Sequence, residues 1–551
     1  MPHFTSHERN SSSSSTEHAY LSRSRRDPDQ TNVYLVGGGI ASLAAATHFI
    51  HDAKVPASQI HILESLAVPG GSMDGAGDTS QGYILRGGRM LNYSYGCLYD
   101  LLDLIPSLTE PNKTVLKEIQ DYNKEHQTNA QARVVASGSN GPERVNVTRM
   151  GFSNRDRVDM LKMLYASEKS LGVKKIEDCF RKEFFQTNFW YMWATTFAFN
   201  PWHGAVEFRR YLHRFLHEFP RINTLAGIDR TPYNQFDSII LPMTRFLEDK
   251  GTDFQYNTRV TGITFSETKP TRPIEIQMIQ SGVPKKVIVK ETDLVFVTPG
   301  SMTSESSIGT NDTAPCFDPD TSDGTWALWK NMAEGRPEFG NPSNFCERTQ
   351  ESNWESFTVT SFDPEFLNRY IEFSHNEPGT GALVTFKDSN WFMSIVVPRQ
   401  PHFINQPENV NVFWGYGLFT DREGNYVKKP MSECTGKEIM TELLGHLNFP
   451  LHPILDNSIT RPCMMPYITS QFLTRRIEDR PKVMPKGTTN LALLGQFVEI
   501  PEDTVFTVEY SVRAAQMAVF ELMGLKKKPK PLYKGEHHVG ILIQATEKLL
   551  S

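Results

Sequence analysis

Two arginines flank a glycine pair in the stretch RGGRMLNYSYGC, where Arg86 and Arg89 are followed by Met90 and several tyrosines. No carboxylate occurs between Asp78 and Asp100. A loop of this composition could pack against a cofactor or form part of a reaction site. Acid–base chemistry needs a positioned proton donor or acceptor, so a reaction site here would require that group to come from elsewhere in the chain.

A second motif, VYLVGGGIASLAAA, has the spacing of a dinucleotide-binding turn. Gly37 would make the turn from strand to helix, Gly39 would let the backbone approach a pyrophosphate, and Ser42 takes the third position, which needs only a small residue. The amino terminus of the helix would offer free N–H groups to phosphate. Glu64 ends the next predicted strand, where its carboxylate can accept hydrogen bonds from ribose hydroxyls. The alternative is an ordinary glycine turn, against which the surrounding strand, helix and acid argue.

Three further segments favour FAD over NAD(P)H. A glycine pair in VPGGSMDG follows Glu64 closely, as in glutathione-reductase-like flavoproteins. The buried strand of DLVFVTPGS ends in a small residue and a glycine, and LLGQFVEIPEDTVFTVEYSVRAA predicts a strand followed by a helix aimed at the flavin ring. No second glycine motif has a matching strand–helix context. A flavoprotein without an NAD(P)H domain either takes electrons from its substrate or performs no net redox reaction.

The composition is typical of a soluble globular protein, with 39% hydrophobic and 22% charged residues. A net charge of −6 gives no reason to expect nucleic acid as a partner. The six cysteines are scattered without a C-x-x-C motif, which favours reduced thiols over disulfides or a metal site. The amino-terminal segment lacks the apolar core of a secretory signal, and no apolar run is long enough to span a membrane. These features predict a cytoplasmic protein.

The order of strands and helices predicts an α/β fold with a Rossmann FAD-binding domain built from separated segments. The segments of that domain are residues 31–95, 236–300 and 486–525. The inserted, mixed α+β substrate region is predicted at residues 96–235, which look mostly helical, and 301–485. Residues 1–30 are serine-rich and predicted to be disordered, and residues 526–551 are predicted to form a short helical tail.

Several long strings resemble the oleate hydratases, which are FAD-dependent fatty acid hydratases also called myosin-cross-reactive antigens. The similar strings are GGGIASLAAA, GGSMDGAG, RGGR, NFWYMWATTFAFNPWHGAVEFRRYLHRF, PRQPHF, VFWGYGLF, CMMPYITSQFLTRR and GQFVEIPEDTVFTVEYSVRAAQMAV. The resemblance implies that water adds to the cis-9 double bond of oleate to give 10-hydroxystearate. It also implies that FAD is required without net oxidation and acts through structure and local electrostatics.

The motifs and the resemblance together define the expected cofactor contacts. They are Gly37, Gly39, Ile40, Ala41, Ser42, Glu64, Ser65, Gly70, Gly71, Ser72, Arg86, Gly88, Arg89, Val260, Thr298, Pro299, Gly300, Ser301, Glu499, Thr504 and Phe506. Arg89 is also expected to face the reacting region, so it is counted as catalytic together with Met90.

One catalytic position departs from the family pattern. Members of the family usually read R-G-G-R-E-M, and the glutamate is thought to position or deprotonate the attacking water, whereas this chain has Met90 there. Two interpretations stay open. In the first, backbone carbonyls, the flavin and neighbouring polar groups hold the water in an active enzyme. In the second, the chain is a weakened or repurposed hydratase.

Tyr211 is the expected proton donor, and Tyr191 is its rival. A phenol with a pKa of about 10 is a weak acid at neutral pH, so a nearby cation must stabilise the phenolate. Arg210 and His213 are the candidates by sequence. The alternative for either tyrosine is core packing with a satisfied hydroxyl.

Recognition of the substrate carboxylate is altered as well. The family reads T-x-N-R-Q-P-H, but here Val396 and Pro398 replace the two polar residues. The residues predicted to bind the fatty acid are Tyr191, Arg399, Gln400 and His402.

The tail and the overall activity leave alternatives open. The KKKPKP run could meet anionic lipid headgroups and the following segment could lie on a bilayer, or the tail could be a solvated charge run with a docking helix. Monomer and homodimer are both open.

Two other functions compete with hydration: a flavin oxidoreductase of the amine-oxidase or desaturase type, and a fatty-acid-binding homologue without activity.

Overall fold

The computed structural model describes residues 25–268, 271–316, 324–381, 383–535 and 538–550. Its strands are β1 (Val33–Val36), β2 (Ile60–Leu63), β3 (Gly75–Asp78), β4 (Gly82–Leu85), β5 (Leu91–Asn92), β6 (Val134–Gly138), β7 (Gly141–Arg144), β8 (Ile228–Asp229), β9 (Asp253–Gln255), β10 (Thr258–Phe265), β11 (Pro273–Gln280), β12 (Val283–Ile288), β13 (Leu294–Val297), β14 (Ser307–Ile308), β15 (Trp354–Ser361), β16 (Val384–Phe386), β17 (Met393–Val396), β18 (Asn411–Gly417), β19 (Ser458–Met465) and β20 (Leu491–Leu493). Its α-helices are α1 (Ile40–His48), α2 (Gly96–Leu102), α3 (Val115–Glu125), α4 (Asn154–Tyr165), α5 (Glu168–Leu171), α6 (Asn188–Phe197), α7 (Ala205–Arg214), α8 (Leu241–Lys250), α9 (Thr325–Ala333), α10 (Ser343–Cys346), α11 (Thr349–Ser352), α12 (Glu365–Ser374), α13 (Gly436–Leu447), α14 (Val508–Leu522) and α15 (Val539–Leu550).

A parallel five-stranded sheet in the order β20–β13–β1–β2–β9 forms the first layer of the fold. Val33 pairs with Ile60 on one side and with Leu294 on the other. All four residues of β13 are buried, as expected for a parallel strand covered on both faces. Helices α1, α8 and α14 pack together beside this sheet. The chain order reverses next to β1, and ligands of such sheets bind at the carboxyl ends of the strands at that point.

A second sheet has eight strands in the order β14–β19–β15–β18–β17–β16–β6–β7. Successive side chains of its central strand β15 point to opposite faces. Phe357 and Val359 belong to a core cluster that includes residues of α13. On the other face, Thr358 and Thr360 accept hydrogen bonds from the backbone N–H groups of Leu85 and of Tyr83, at 3.0 and 2.9 Å. These bonds fix β4 against the sheet. They also fix the loop of residues 86–90 that follows β4 and is here called the arginine loop.

The predicted α/β fold with a Rossmann domain from separated segments is confirmed, and so is the helical tail. The hairpin of β6 and β7 lies in a region that the sequence predicts to be mostly helical. Strands β15 and β19 were not predicted individually. Polar residues alternate along β15, but every one of its positions is buried, because the residues on one face hold β4 and those on the other face fill a core.

The two ends of the chain differ in how much of them is described. Residues 1–24 of the segment predicted to be disordered lie outside the described residues, and Pro28–Gln30 form a short 3-10 helix. In the tail, α15 packs against residues 216–221 and buries Ala545 and Leu549. Nε of Arg157 donates to the carbonyl of Leu549 at 3.0 Å. Among the described residues, no helix combines the length and the apolar character needed to cross a membrane.

Candidate active site

A cleft at the carboxyl ends of β1, β2 and β13, here called the glycine-rich cleft, contains most of the predicted cofactor contacts. Its volume is about 1110 Å³ with the open mouth included. The backbones that form it approach closely, because a Cβ on Gly71, whose φ is +56°, would lie only 3.2 Å from the Cα of Gly39. The predicted residues that line it are Gly37, Gly39, Ile40, Ala41, Glu64, Ser65, Gly70, Gly71, Ser72, Arg86, Val260, Thr298, Gly300 and Ser301.

The polar groups of this cleft suit a dinucleotide. Helix α1 begins after Gly39 without a side-chain cap, which leaves N–H groups and the positive end of the helix dipole for phosphate. Glu64 accepts hydrogen bonds from the N–H of Gly38 at 2.6 Å and of Leu66 at 2.8 Å, and burial raises the pKa of its carboxyl. The hydroxyl of Thr298 is buried without a partner among the described residues, so a bound ligand could satisfy it.

Arg86 is held inside the same cleft by an ion pair. Its Nε and one terminal nitrogen lie 2.9 and 2.8 Å from the two carboxylate oxygens of Asp74. The same guanidinium donates to the carbonyl oxygens of Gly71 and of Thr303, at 2.8 and 2.9 Å. Arg86 therefore braces the turn that carries the second glycine pair.

A second space, here called the apolar cavity, begins where the arginine loop ends. It is about 1000 Å³ with its mouth included and is lined mainly by aromatic and aliphatic side chains. Its lining residues are Gly87, Gly88, Arg89, Met90, Leu91, Asn92, Tyr95, Trp193, Thr195, Thr196, Phe197, Ala198, Tyr211, Phe215, Glu218, Ile222, Leu225, Ile228, Trp354, Leu383, Trp414, Tyr416, Phe506, Thr507 and Val508. A cavity of this character suits an apolar chain.

Tyr211 places its hydroxyl at the wall of the apolar cavity. The residue is 1% exposed, and its hydroxyl donates to the carbonyl oxygen of Val505 at 2.6 Å. Burial raises the pKa of the phenol well above its usual value, while the charge of Arg89 acts in the opposite direction. The two cations suggested by sequence have other partners: Arg210 binds Glu168 and Glu499, and His213 contacts the carbonyl oxygen of Leu164. The prediction that Arg210 or His213 is the cation beside the phenol is therefore wrong, and the cation whose charge acts to lower the pKa of Tyr211 is Arg89.

Arg89 lies where the spaces meet. It lines the apolar cavity and the pocket described next. One terminal nitrogen donates to the carbonyl oxygen of Ser72 at 3.1 Å and lies 3.8 Å from the sulfur of Met302, and both residues line the glycine-rich cleft. Within the described chain its guanidinium has no ion-pair partner, and it lies 5.5 Å from the ring centre of Phe506. Burial lowers the pKa of Arg89 to about 10, so it stays charged at neutral pH.

A third space, here called the basic pocket, opens on the other side of Met90. It is lined by Gly88, Arg89, Met90, Tyr122, Arg230, Thr231, Pro232, Asn234, Gln235, Val396, Pro398, Arg399, His402 and Trp414. The guanidinium of Arg230 donates to the carbonyl oxygen of Gly381 at 2.6 Å and to the hydroxyl of Thr128 at 3.2 Å. No carboxylate of the described residues pairs with Arg230 or with Arg399. Burial and the charge of Arg230 lower the pKa of His402 to about 3, so this ring is neutral.

The second glycine of the arginine loop is required by the wall of these spaces. A Cβ on Gly88 would lie 2.3 Å from Cζ2 of Trp414, so the indole fills the room that any other residue would need. Met90, half-buried beside this contact, lines both the apolar cavity and the basic pocket. The loop is thus both a turn beside the predicted cofactor cleft and part of the wall of the candidate reaction site.

Phe506 is held in an uncommon backbone conformation at the same junction. Its φ is +70°, which costs an aromatic residue free energy. Its N–H donates to the side-chain oxygen of Gln496, whose amide nitrogen donates to the carbonyl of Thr507 at 2.9 Å. Gln496 lines the glycine-rich cleft, whereas Phe506 lines the apolar cavity. The hydrogen bonds between Gln496 and residues 506–507 therefore connect the glycine-rich cleft with the apolar cavity.

Several predicted contacts lie elsewhere. Glu499 lines neither cleft and instead forms ion pairs with Arg210 at 2.7 Å and with Arg475 at 2.8 Å, so its predicted cofactor contact is wrong. The side-chain amide of Gln400 forms hydrogen bonds with Val412, Pro398 and Gln406. The ring of Tyr191 packs on Phe392. The other predicted cofactor contacts outside the glycine-rich cleft are Ser42, Gly88, Arg89, Pro299, Thr504 and Phe506.

Sequence reasoning missed several residues that face these spaces. Arg230 and Gln235 in the basic pocket belong to the stretch DRTPYNQ, which contains no catalytic motif. Asn92 and Glu218 in the apolar cavity are separated by more than a hundred residues. Tertiary packing brings them together: β5 pairs with β8, and Nδ2 of Asn92 donates to Oε1 of Glu218 at 2.8 Å.

The comparisons with known proteins agree with the resemblance in the sequence. Residues 30–520 match the model of the MCRA family. An oleate hydratase of Streptococcus pyogenes serotype M49 (strain NZ131) is 38% identical over 508 residues, which cover 90% of this chain and 85% of that protein. A linoleate hydratase of Lactiplantibacillus plantarum is 36% identical over 551 residues, which cover 90% of this chain and 94% of that protein.

Two solved structures share the fold at low sequence identity. A cyclohexylamine oxidase from Brevibacterium oxydans IH-35A has a TM-score of 0.52 at 12% identity, covering 90% of this chain and 98% of that chain. A putrescine oxidase has a TM-score of 0.51 at 11% identity, covering 90% and 99%. At these identities the likeness concerns the fold alone.

The contribution of the ion pairs around Glu499 to the free energy of unfolding should depend on pH. Burial opposes ionisation of Glu499, but the guanidinium groups of Arg475, Arg210 and Arg480 lower the pKa of its carboxyl to about 2. Since the unfolded value is about 4.3, its stabilising contribution is present above pH 4.3 and lost as pH falls toward 2. Glu499→Gln should lower the free energy of unfolding at pH 7 by about 3–5 kcal/mol, and this difference from the wild type should shrink between pH 5 and pH 2.

The measurement is urea unfolding across that pH range. Glu347→Gln is the control, because its exposed pair with Lys330 should contribute less than about 1 kcal/mol. A difference between wild type and Glu499→Gln that does not change with pH would contradict the assignment of Glu499 to this cluster.

Proposed function

The chain belongs to the MCRA family, and on that premise we propose that it is an FAD-dependent fatty acid hydratase. It adds water to the cis-9 double bond of an unsaturated fatty acid, converting oleate to 10-hydroxystearate without net redox. The observation that carries the proposal is the buried hydroxyl of Tyr211 in an apolar cavity that meets a dinucleotide-type cleft at Arg89. This arrangement supplies a proton donor, an apolar chain site and a cationic partner in one place.

FAD is the cofactor that the glycine-rich cleft fits. The pyrophosphate would lie at the amino terminus of α1, where Gly39 lines the cleft, and a ribose would lie beside Glu64. The flavin would supply an electron-rich ring whose charge changes the local field while its redox state is unchanged over the reaction. Arg89 and Phe506 would face that ring from the side of the apolar cavity.

The basic pocket is the proposed site of the fatty acid carboxylate. Arg230 and Arg399 bring positive charge without a partner carboxylate among the described residues, and a bidentate guanidinium suits a carboxylate well. His402, neutral by its lowered pKa, would contribute a neutral hydrogen bond. Val396 makes part of the wall apolar where the related proteins read a polar residue, so recognition rests on the arginines. The acyl chain would then pass Met90 into the apolar cavity.

Tyr211 would donate the proton to one alkene carbon. Exclusion of water by the aromatic wall strengthens the interaction between the developing phenolate and Arg89. The Val505 carbonyl that now accepts the hydroxyl proton holds the phenol in one orientation until substrate arrives. Met90 lacks any group that could accept a proton from the attacking water.

Labelled water tests the function directly. We expect purified protein with FAD and oleate in ¹⁸O-labelled water to form a hydroxy fatty acid that carries the heavy oxygen, as read by mass spectrometry. The absorption spectrum of the flavin should be the same before and after turnover. Loss of flavin absorbance on addition of substrate would support an oxidoreductase instead, and bound oleate without product would support a fatty-acid-binding protein.

Two variants distinguish Tyr211 from Tyr191 as the proton donor. Tyr211→Phe should lower kcat about 10²–10⁴-fold, as for loss of a general acid, with FAD still bound. Tyr191→Phe is the matched control, since this ring packs on Phe392 outside the cavity, and its kcat should stay near that of the wild type. Equal losses in both variants would contradict the assignment of the donor.

Peripheral membrane contact through the tail is a further part of the proposal. Leu542 and Ile543 are 40% and 54% exposed on α15, while Ala545 and Leu549 of the same helix face the protein. Lys526, Lys527 and Lys528, which precede α15 in the sequence, are exposed. The exposed apolar pair and the basic run together would favour an anionic lipid surface.

Vesicles of phosphatidylglycerol and phosphatidylcholine test this contact by sedimentation. The double substitution Leu542→Ser with Ile543→Ser should weaken binding at least about tenfold, since each apolar side chain contributes up to about 1.5–3 kcal/mol when buried. Tyr165→Ser, at a residue that is 87% exposed in α4, is the control and should leave binding unchanged. Equal binding by both variants would mean that α15 is only a docking helix.

A further inference from the structure

The apolar cavity has one carboxylate in its lining, that of Glu218, among the described residues. The side chain is 8% exposed. Tyr211 lies in α7, Phe215 follows the end of that helix, and Glu218 lies in the 3-10 helix Leu216–Arg221. All three line the cavity. The lining of the cavity therefore contains the proposed proton donor and a carboxylate.

Neighbouring groups fix this carboxylate. Nδ2 of Asn92 donates to its Oε1 at 2.8 Å. Arg221 forms a two-pronged contact, with Nε 2.7 Å from Oε2 and a terminal nitrogen 2.8 Å from Oε1. Burial opposes ionisation, but His217 and Arg221 lower the pKa of Glu218 to about 2, so the group is ionised at neutral pH. Oε2 receives only the Arg221 contact among the described residues, which leaves it able to accept another hydrogen bond.

We propose that Glu218 accepts the hydrogen bond of the attacking water, a role that the side chain of Met90 cannot perform. This inference rests on the proposed hydratase function and names the water site of that same reaction. Asn92, which orients Glu218, lies two residues after Met90 and also lines the cavity. Asn92 of β5 and the 3-10 helix that contains Glu218 thus hold the carboxylate at the cavity.

Addition from opposite sides of the double bond requires a donor and an acceptor that lie apart. Reacting atoms in a productive complex lie about 3–3.5 Å apart, and a water lies about 2.8 Å from the oxygen that accepts its proton. A tyrosine oxygen, an alkene, a water and a carboxylate in a row therefore span roughly 10 Å. Tyr211 in α7 and Glu218 in the following 3-10 helix, which both line the cavity, are the proposed ends of that row.

Atoms and charges balance in this reaction. The π electron pair of the alkene forms a C–H bond with the proton of the Tyr211 hydroxyl while the water oxygen forms the C–O bond at the neighbouring carbon. One proton leaves the water for Glu218; the carboxyl of Glu218 then gives up a proton and the phenolate oxygen of Tyr211 takes one up, so both groups regain their starting states. The product is the alcohol, and nothing is oxidised or reduced. A weakly basic carboxylate suffices because the water becomes strongly acidic only as the C–O bond forms.

Four variants test the inference with FAD-loaded, full-length protein and oleate. Glu218→Gln should lower kcat about 10²–10⁴-fold with KM and bound FAD unchanged, because the amide cannot take up a proton. Adding Met90→Glu to Glu218→Gln should restore part of the turnover, since it supplies a carboxylate from the loop side. Glu218→Asp keeps the charge but withdraws it by one methylene, so it should lower kcat with little change in melting temperature.

Glu442→Gln is the matched structural control. Glu442 is likewise a buried glutamate with a histidine partner, His446, at 3.2 Å, but it does not line the apolar cavity. Its kcat should equal that of the wild type. Unchanged turnover in Glu218→Gln and Glu218→Asp would overturn the inference. A loss of turnover that follows melting temperature and is not restored by Met90→Glu would also overturn it, in favour of a structural role. A wild-type protein that forms no hydroxy fatty acid would instead overturn the proposed function.

Discussion

A guanidinium without an ion-pair partner, that of Arg89, lies where the glycine-rich cleft, the apolar cavity and the basic pocket meet. The contacts that hold it there are with the Ser72 carbonyl, the Met302 sulfur and the Phe506 ring, so its charge stays available to a ligand. A carboxylate in the arginine loop would compensate this charge. Met90 leaves it uncompensated, which favours anionic species on either side, a phenolate at Tyr211 or a fatty acid carboxylate.

The segment from Gln496 to Phe506 makes the two proposed sites depend on each other. Gln496 lies in the glycine-rich cleft and holds the Phe506 backbone at positive φ, and Tyr211 holds the preceding carbonyl of Val505. A ligand that displaces Gln496 would also disturb Phe506, and with it the position of Arg89. A cofactor without net redox can act on a distant reaction in this way, by fixing the wall of the cavity as well as its field.

Local patterns made the nucleotide half of the fold predictable. The turn after β1, Glu64 after β2 and the end of β13 are each encoded within a few consecutive residues. The apolar cavity was less predictable, because Asn92, Tyr211 and Glu218 come from segments that only tertiary packing brings together. Glu499 was misassigned for the same reason. Its sequence neighbours suggest a flavin contact, but tertiary packing pairs its carboxylate with Arg210 and Arg475.

A sequence resemblance assigns a role to the residue at a matching position, but a reaction in a cavity only requires that a suitable group be present, from whichever position it comes. At position 90 the expected carboxylate is missing, yet an acidic residue still lines the cavity, namely Glu218 in the 3-10 helix that follows α7. A carboxylate at this position lies seven residues from Tyr211, the proposed proton donor, whereas a carboxylate in the arginine loop would be tied to the cofactor cleft. The spacing of donor and acceptor would then be set by two consecutive helical segments, and the loop would be free to carry an apolar residue between the two pockets.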